Sequence, residues 1–468
     1  MPDRELEAQA EARTRQVVTA AVDEEKQLLT VDSPPGAGKT RLTREVIQRA
    51  MDRQVRTLVA VQTNSQAIDL VRGMAQLLQD RGSSGQFGYW PSHDARNEWA
   101  AEIGVLAQHP NVVVCESTDD ARIAPDVLVA VSRKWSWHIC PRFASHGLDR
   151  HFDLGVFDEA YQMQTSELLR VGARIDRLLT IGDPGQLEPF TTVETERWTG
   201  LGASPITPAP RSVEARFGTP EGARITLPSS LRLDHRAARV VQQCFYPDLP
   251  FSAVAVEGDR ELRLNPAPRA RDRLTRARNL VLDRAATSGW GLHELPAAST
   301  VRDDPELANE IAQLVAQLFT RDPNVRAHFP RPLRRGASLK PCNVAVATAH
   351  RDQRSRVREA LDRLGPAFGE VVVDTANRIQ GREFDVVFAW HPLSGRVDAT
   401  AFHLDTGRLC VMASRHRHAC ILVTRAGLPA LLDDHLPSGL RPKGTTEDRE
   451  HDGWIAHRRL LDLVGTSG

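Results

Sequence analysis

Ser33-Pro34-Pro35-Gly36-Ala37-Gly38-Lys39-Thr40 follows the apolar run Leu28-Leu29-Thr30-Val31 and precedes a helical pattern over about residues 39–52. A strand, a glycine-rich loop and a helix in that order make a phosphate-binding turn. The glycines let backbone N–H groups converge on a phosphate with no side chain in the way. The helix N-terminus adds the positive end of its dipole. Lys39 is placed to reach the outer phosphates of ATP, and the Thr40 hydroxyl to ligate Mg2+. Pro35, Gly36, Ala37 and Gly38 form the cradle, with Arg41 beside it. This pattern usually opens with glycine, where the chain has Ser33. A chance glycine-rich turn is the competing reading, and the flanking strand and helix count against it.

Outward from this loop, Phe157-Asp158-Glu159-Ala160-Tyr161-Gln162 closes a second apolar strand. Asp158 is placed to hold Mg2+, and Glu159 to orient and deprotonate an attacking water. Paired acids at a strand end also occur as solvated turns, a reading that loses ground beside the phosphate loop. Short strands are expected at 56–61, 112–115, 126–131, 154–157 and 178–181. Helical patterns run over 5–24 and 65–79, and 80–110 reads as irregular. Residues 200–222 are rich in Pro, Gly, Ser and Ala and read as a linker. Beyond it, helices are expected at 234–245 and 352–364, strands at 343–347, 371–373, 385–389 and 420–424, and a short helix at 453–464. Residues 250–300 give no clear pattern. Strands alternating with helices predict parallel sheets covered on both faces.

The 468 residues leave room for two or three domains. Hydrophobic residues at 41% and charged residues at 26% suit a soluble globular chain. No apolar run is long enough to cross a bilayer, and the charged start MPDRELEAQAEARTRQ has no signal core. The cytoplasm is the expected compartment, with no membrane partner. The six cysteines show no CxxC pair, which points to reduced, buried thiols. The formal net charge of zero argues against a globally basic coat protein, but allows a local basic groove.

Further motifs follow in order. Gly182-Asp183-Pro184-Gly185-Gln186-Leu187-Glu188-Pro189, Asp158-Glu159-Ala160-Tyr161-Gln162 and the phosphate loop together resemble superfamily 1 helicases, especially the branch containing the nonsense-mediated-decay helicase. The resemblance extends to Val61-Gln62-Thr63-Asn64 (motif Ia) and Leu227-Pro228-Ser229-Ser230-Leu231-Arg232 (motif IV, without its usual Gln and Tyr). It continues through Ala347-Thr348-Ala349-His350-Arg351-Asp352-Gln353 and Thr375-Ala376-Asn377-Arg378-Ile379-Gln380-Gly381-Arg382-Glu383-Phe384-Asp385 (motif V). It closes at Val411-Met412-Ala413-Ser414-Arg415-His416-Arg417 (motif VI).

The resemblance implies an α/β fold of two tandem RecA-like P-loop domains with parallel sheets. It places domain 1 at 1–205, domain 2 at 206–435 and a tail with a short helix at 436–468. It implies that Gln186 senses the γ-phosphate, that Gln16 reads adenine, and that Glu383 lies at the nucleotide. Arg232 and Arg415 would neutralise charge on the γ-phosphoryl, Arg415 as an arginine finger. A surface glutamine is the other account of Gln16. Thr63, Asn64, Thr348, Thr375 and Gln380 are expected along single-stranded DNA or RNA, through backbone contacts that carry little sequence information. Residues 331–358 hold eight Lys/Arg and one Asp; an electrostatic track and a solvated helical face explain them equally well. The implied activity is an ATP-driven translocase or helicase. The alternative is a nucleic-acid-stimulated ATPase switch that assembles a partner complex without unwinding, and a protein partner is possible in either case. A small-molecule P-loop kinase conflicts with the second-domain motifs. Zinc at His138, Cys140, His146 and His151 fits no standard ligand spacing. Trp135 and Trp137 read better as a packed loop than as a base-stacking platform.

Overall fold

The computed structural model describes residues 3–139, 147–189, 198, 204–219, 223–270, 272–300, 303–327, 334–435 and 449–465. Two compact units emerge. One holds residues 8–184 and 188–228, the other 1–7, 185–187 and 229–468. Both are α/β, each built on an open parallel sheet.

The first unit contains β1 (Leu28–Asp32), β2 (Thr57–Val61), β3 (Phe87–Tyr89), β4 (Val112–Val114), β5 (Val127–Val131), β6 (Phe152–Asp158), β7 (Ile175–Gly182) and β8 (Arg224–Thr226). Their order is β4-β3-β5-β2-β6-β7-β1-β8, and every pairing is parallel. Alternate residues face opposite sides. Val59, Val61, Val129 and Val131 join one core with helices Lys39–Asp52 and Asn64–Asp80. Leu58, Ala60, Leu128 and Ala130 join a second core with Trp90, Trp135 and Phe152. Burial on both faces is why these strands read as unbroken apolar runs.

The second unit contains β9 (Ser229–Asp234), β10 (Ser252–Ala255), β11 (Arg260–Arg263), β12 (Trp290–Leu295), β13 (Asn324–Ala327), β14 (Arg334–Ser338), β15 (Val344–Thr348), β16 (Val372–Thr375), β17 (Phe384–Trp390) and β18 (His416–Arg425). Its main sheet is parallel, in the order β12-β18-β17-β15-β16. The same alternation sends Ala345, Val387, Cys420 and Leu422 into one core and Val346, Phe388, Ile421 and Val423 into another. A small antiparallel sheet, β11-β13-β14, and the pair β10-β9 complete the unit.

The strands expected from the apolar runs form, some of them longer than expected. Residues 80–110 are not irregular: they carry β3 and helices His93–Glu98 and Ala100–Ala107. These elements are too short for periodicity to register, and the stronger local signal is Ser92, whose hydroxyl caps the first helix at Ala95 N (3.1 Å). The stretch 200–222, where described, includes helix Ala209–Phe217. Ala209 N donates to Met163 O at 2.9 Å and Val213 is buried, so this Pro/Ala-rich composition packs rather than links. Proline in the first turn of a helix is compatible with it because that N–H has no intrahelical partner. Residues 250–300 hold β10, β11, β12 and helix Arg273–Ser288, which is capped by Asp272.

Candidate nucleotide and nucleic-acid site

β1, β7 and β6 are neighbours, and their registers set Asp32 opposite Gly182, and Ile181 opposite both Val31 and Asp158. The phosphate loop, Asp183 and the Asp158-Glu159 pair therefore emerge together at the carboxyl edge of the sheet, where open α/β sheets bind ligands. Gly36 (φ 75°) and Gly38 (φ 92°) take left-handed backbone, which glycine adopts without a Cβ clash. Lys39 opens the following helix. Its Nζ lies 3.2 Å from Glu159 Oε1 and 3.8 Å from Asp183 Oδ2.

Packing behind the loop fixes this geometry. Tyr161 donates to Asp32 Oδ1 at 2.7 Å, and Arg224 Nε to Asp32 Oδ2 at 2.5 Å. Burial and the Asp32 carboxylate push the Tyr161 phenol far above its ordinary pKa, so it remains a donor. At Gly182 a Cβ would lie 2.8 Å from Tyr161 Cδ2 and 3.1 Å from the Ala160 and Tyr161 nitrogens. Only glycine lets β7 pass so near the turn after β6. Burial and the neighbouring Glu159 raise Asp158 to about 6, with Lys39 pulling the other way.

These groups fit a magnesium nucleotide. Carboxylate and hydroxyl oxygens from Asp158 and Thr40 suit a hard cation, and the surplus of acid around Lys39 favours a divalent one. Pro35 and Ala37 are buried in the loop wall. Gln16 is exposed on helix Arg4–Val18, its Oε1 accepting from Arg13 at 2.7 Å. Arg41 is also exposed, bonding Glu45 at 2.8 Å with Glu11 at 3.9 Å.

In the second unit Glu383 joins two arginines. Arg232 Nε donates to its Oε1 at 2.7 Å and Arg417 Nη2 to its Oε2 at 2.9 Å. Burial alone would raise the Glu383 carboxyl, but the two guanidinium groups bring it down to about 2. Arg415, 2% exposed, ends helix Thr406–Ser414. Gln380 Nε2 donates to Gln186 Oε1 at 3.2 Å, both residues belonging to this unit.

The expected nucleic-acid contacts divide by exposure. Thr63 is exposed and caps helix Asn64–Asp80 in a capping box with Gln66. Asn64 Oδ1 accepts from Ser92 at 2.9 Å. Thr375 and Gln380 are half-buried. Thr348 is fully buried, and its hydroxyl donates to His350 O at 3.1 Å. Its backbone, not its side chain, is what remains for a ligand. Trp135 is buried with Nε1 donating to Val59 O at 3.0 Å, whereas Trp137 is 56% exposed. Cys140 and His146 lie outside the described residues.

Sequence reading missed Asp32, Tyr161, Arg224 and Arg417 as site residues, and did not single out Asp183 within its motif. Tyr161, Asp183 and Arg417 sit inside quoted motifs, so a signal was at hand. Arg224 stands 192 residues from Asp32, and no local pattern connects them.

A family model described as AAA domain matches residues 298–427, which hold β13 to β18 and Arg415. No curated protein matches the chain. Among solved structures, the PRRSV helicase aligns at 15% identity and TM-score 0.41, over 89% of this chain and 56% of that one. An arterivirus nonstructural protein 10 helicase in complex with DNA aligns at 13% and 0.39, over 86% and 62%. The DUF1998 helicase MrfA bound to DNA and AMPPNP aligns at 11% and 0.44, over 90% and 48%. The chain thus spans less than two thirds of the length of each, and likeness at this level speaks to neither activity nor ligand.

Proposed function

We propose that this chain is an ATP-dependent nucleic-acid translocase or helicase of superfamily 1, nearest the branch containing the nonsense-mediated-decay helicase, hydrolysing ATP in a cleft between its RecA-like domains. The observation that carries this reading is the convergence of Lys39, Glu159 and Asp183 at the end of a strand–glycine loop–helix turn. In this reading Lys39 and the backbone of residues 35–40 grip the phosphates, with Gln16, Arg41 and Glu383 as further nucleotide contacts. Thr40 and Asp158 hold Mg2+. When bound, the magnesium nucleotide supplies the scissile phosphoanhydride and the charge that steadies it.

Glu159 orients water and takes its proton. General-base contributions of this kind are about 10²–10⁴ in rate. Gln186 senses the γ-phosphate, and Arg232 and Arg415 neutralise the developing charge, an effect of about 10³–10⁵ for an arginine finger. Thr63, Asn64, Thr375, Gln380 and the Thr348 backbone follow single-stranded DNA or RNA. A protein partner and a cytoplasmic location belong to the same proposal. Among the described residues, no helix is long and apolar enough to cross a membrane.

The test is ATP hydrolysis against a panel of DNA and RNA single strands, beside a strand-displacement assay. Strand-stimulated turnover supports the reading, and displacement supports unwinding. Phosphate transfer to a metabolite, indifferent to nucleic acid, overturns it.

A further inference from the structure

The peptide joining Asp158 to Glu159 is gripped at both ends. Its N–H, on Glu159, donates to Asp158 Oδ1 at 2.9 Å. Its carbonyl accepts from Gln62 Nε2 at 3.4 Å. Gln62 is itself held, because its Oε1 accepts the Ser132 hydroxyl at 2.8 Å. The residue thus fixed, Glu159, has φ 52° and ψ 41°. A side chain with a Cβ takes that left-handed region seldom and at a cost in energy.

The main chain of Gln62 leads the other way. Its N–H donates to Gln66 Oε1 at 3.1 Å, and the same oxygen accepts the Thr63 N–H at 3.0 Å. Gln66 N in turn donates to Thr63 Oγ1 at 3.2 Å. Residues 62 and 63 are therefore one hydrogen-bonded corner at the end of β2. A ligand that shifts Thr63 or Asn64 shifts Gln62, and with it the carbonyl before Glu159. All of these residues lie in the first unit.

We infer that Gln62 is a positioning residue: it holds Glu159 in its working conformation and transmits engagement of residues 63 and 64 to it. The inference rests on the ATPase reading above. Gln62→Met keeps the length of the side chain and removes both polar ends. Gln62→Glu keeps the oxygen that Ser132 binds and loses the donor to the Asp158 carbonyl. Ser132→Ala frees the amide from its other side.

The measurements are kcat and KM for ATP with and without an oligo-dT or oligo-U strand, binding of a fluorescent ATP analogue, and a thermal melt. The stimulated kcat falls about 5- to 20-fold in both Gln62 variants, a range typical of coupling between sites. It falls less in Ser132→Ala. Analogue affinity, KM and melting temperature stay near wild type. A Gln62→Met enzyme with wild-type kcat and stimulation overturns the inference. So does one that loses nucleotide affinity and melting temperature together, because Gln62 is then a packing residue. A wild-type protein that neither hydrolyses ATP nor responds to any strand fails the underlying reading, whereas equal stimulation of wild type and Gln62→Met fails this inference alone.

Discussion

Lys39 Nζ and Glu159 Oε1 lie 3.2 Å apart, each side chain 12% exposed. The ammonium also faces Asp183 at 3.8 Å, and Asp158 adjoins Glu159 in sequence. One cation among three carboxyl groups leaves the strand ends electronegative. Under the proposed reading a phosphate would enter such a place with a metal ion beside it, and Lys39 would be the protein's own share of the neutralising charge.

Lys39→Ala should therefore remove turnover by about 10²–10³ or more, the loss typical of deleting one charge-stabilising donor. Glu159→Gln should keep nucleotide affinity and lower kcat. Equilibrium binding of a fluorescent analogue beside steady-state ATPase separates the two effects. Equal turnover in Lys39→Ala and wild type would remove Lys39 from the chemistry.

Asp158 gives a stability test with a definite sign. Its folded pKa, about 6, lies above the unfolded value of 3.8. Between those values the native state holds the extra proton, so this group's contribution to stability declines as pH rises from 3.8 through 6. Asp158→Asn should melt higher than wild type at pH 7, with the gap closing below pH 4, while losing ATPase activity. A lower melting temperature at pH 7 would mean the carboxylate is stabilising where it stands.

Glu383 runs the opposite way. Its carboxyl sits at about 2 in the folded protein against 4.5 ordinarily. The stability it lends is present above pH 4.5 and is lost as pH falls through about 2. Glu383→Gln should melt lower than wild type at pH 7 because Arg232 and Arg417 lose their shared counter-charge. The difference should shrink as pH drops below 4.5, as a series of melts will report.

Arg415→Ala should bind ATP nearly as wild type does and hydrolyse it about 10³–10⁵ times more slowly. Normal hydrolysis by this variant would end the arginine-finger assignment.

Gly182→Ala places a methyl group 2.8 Å from Tyr161 Cδ2 and 3.1 Å from two backbone nitrogens. Overpacking of this kind costs about 1–3 kcal/mol. The turn carrying Glu159 must move, so both melting temperature and kcat should fall. Denaturant unfolding measures the first.

Chain order and local chemistry were enough to locate the phosphate loop, the acid pair and most of the strands. Those signals live within a few residues: glycines where φ must be positive, apolar runs where a strand is covered on both faces, a turn between strand and helix. The elements within 80–110 and the helix within 200–222 are not legible in the sequence, because they are short and their decisive interactions, a Ser92 cap and the Ala209–Met163 bond, are too brief or too distant to leave a periodic trace.

Tertiary structure alone decided which strand ends meet. The adjacency of β1, β7 and β6 puts Lys39 beside Glu159 and Asp183, and Arg224 reaches Asp32 across 192 residues. It also decided that Thr348, read as a contact, turns its hydroxyl inward to His350 O. Sequence sets what each residue can do because its chemistry and backbone preference are local. Sheet order and burial depend on which distant surfaces exclude water together, and only the folded chain settles that.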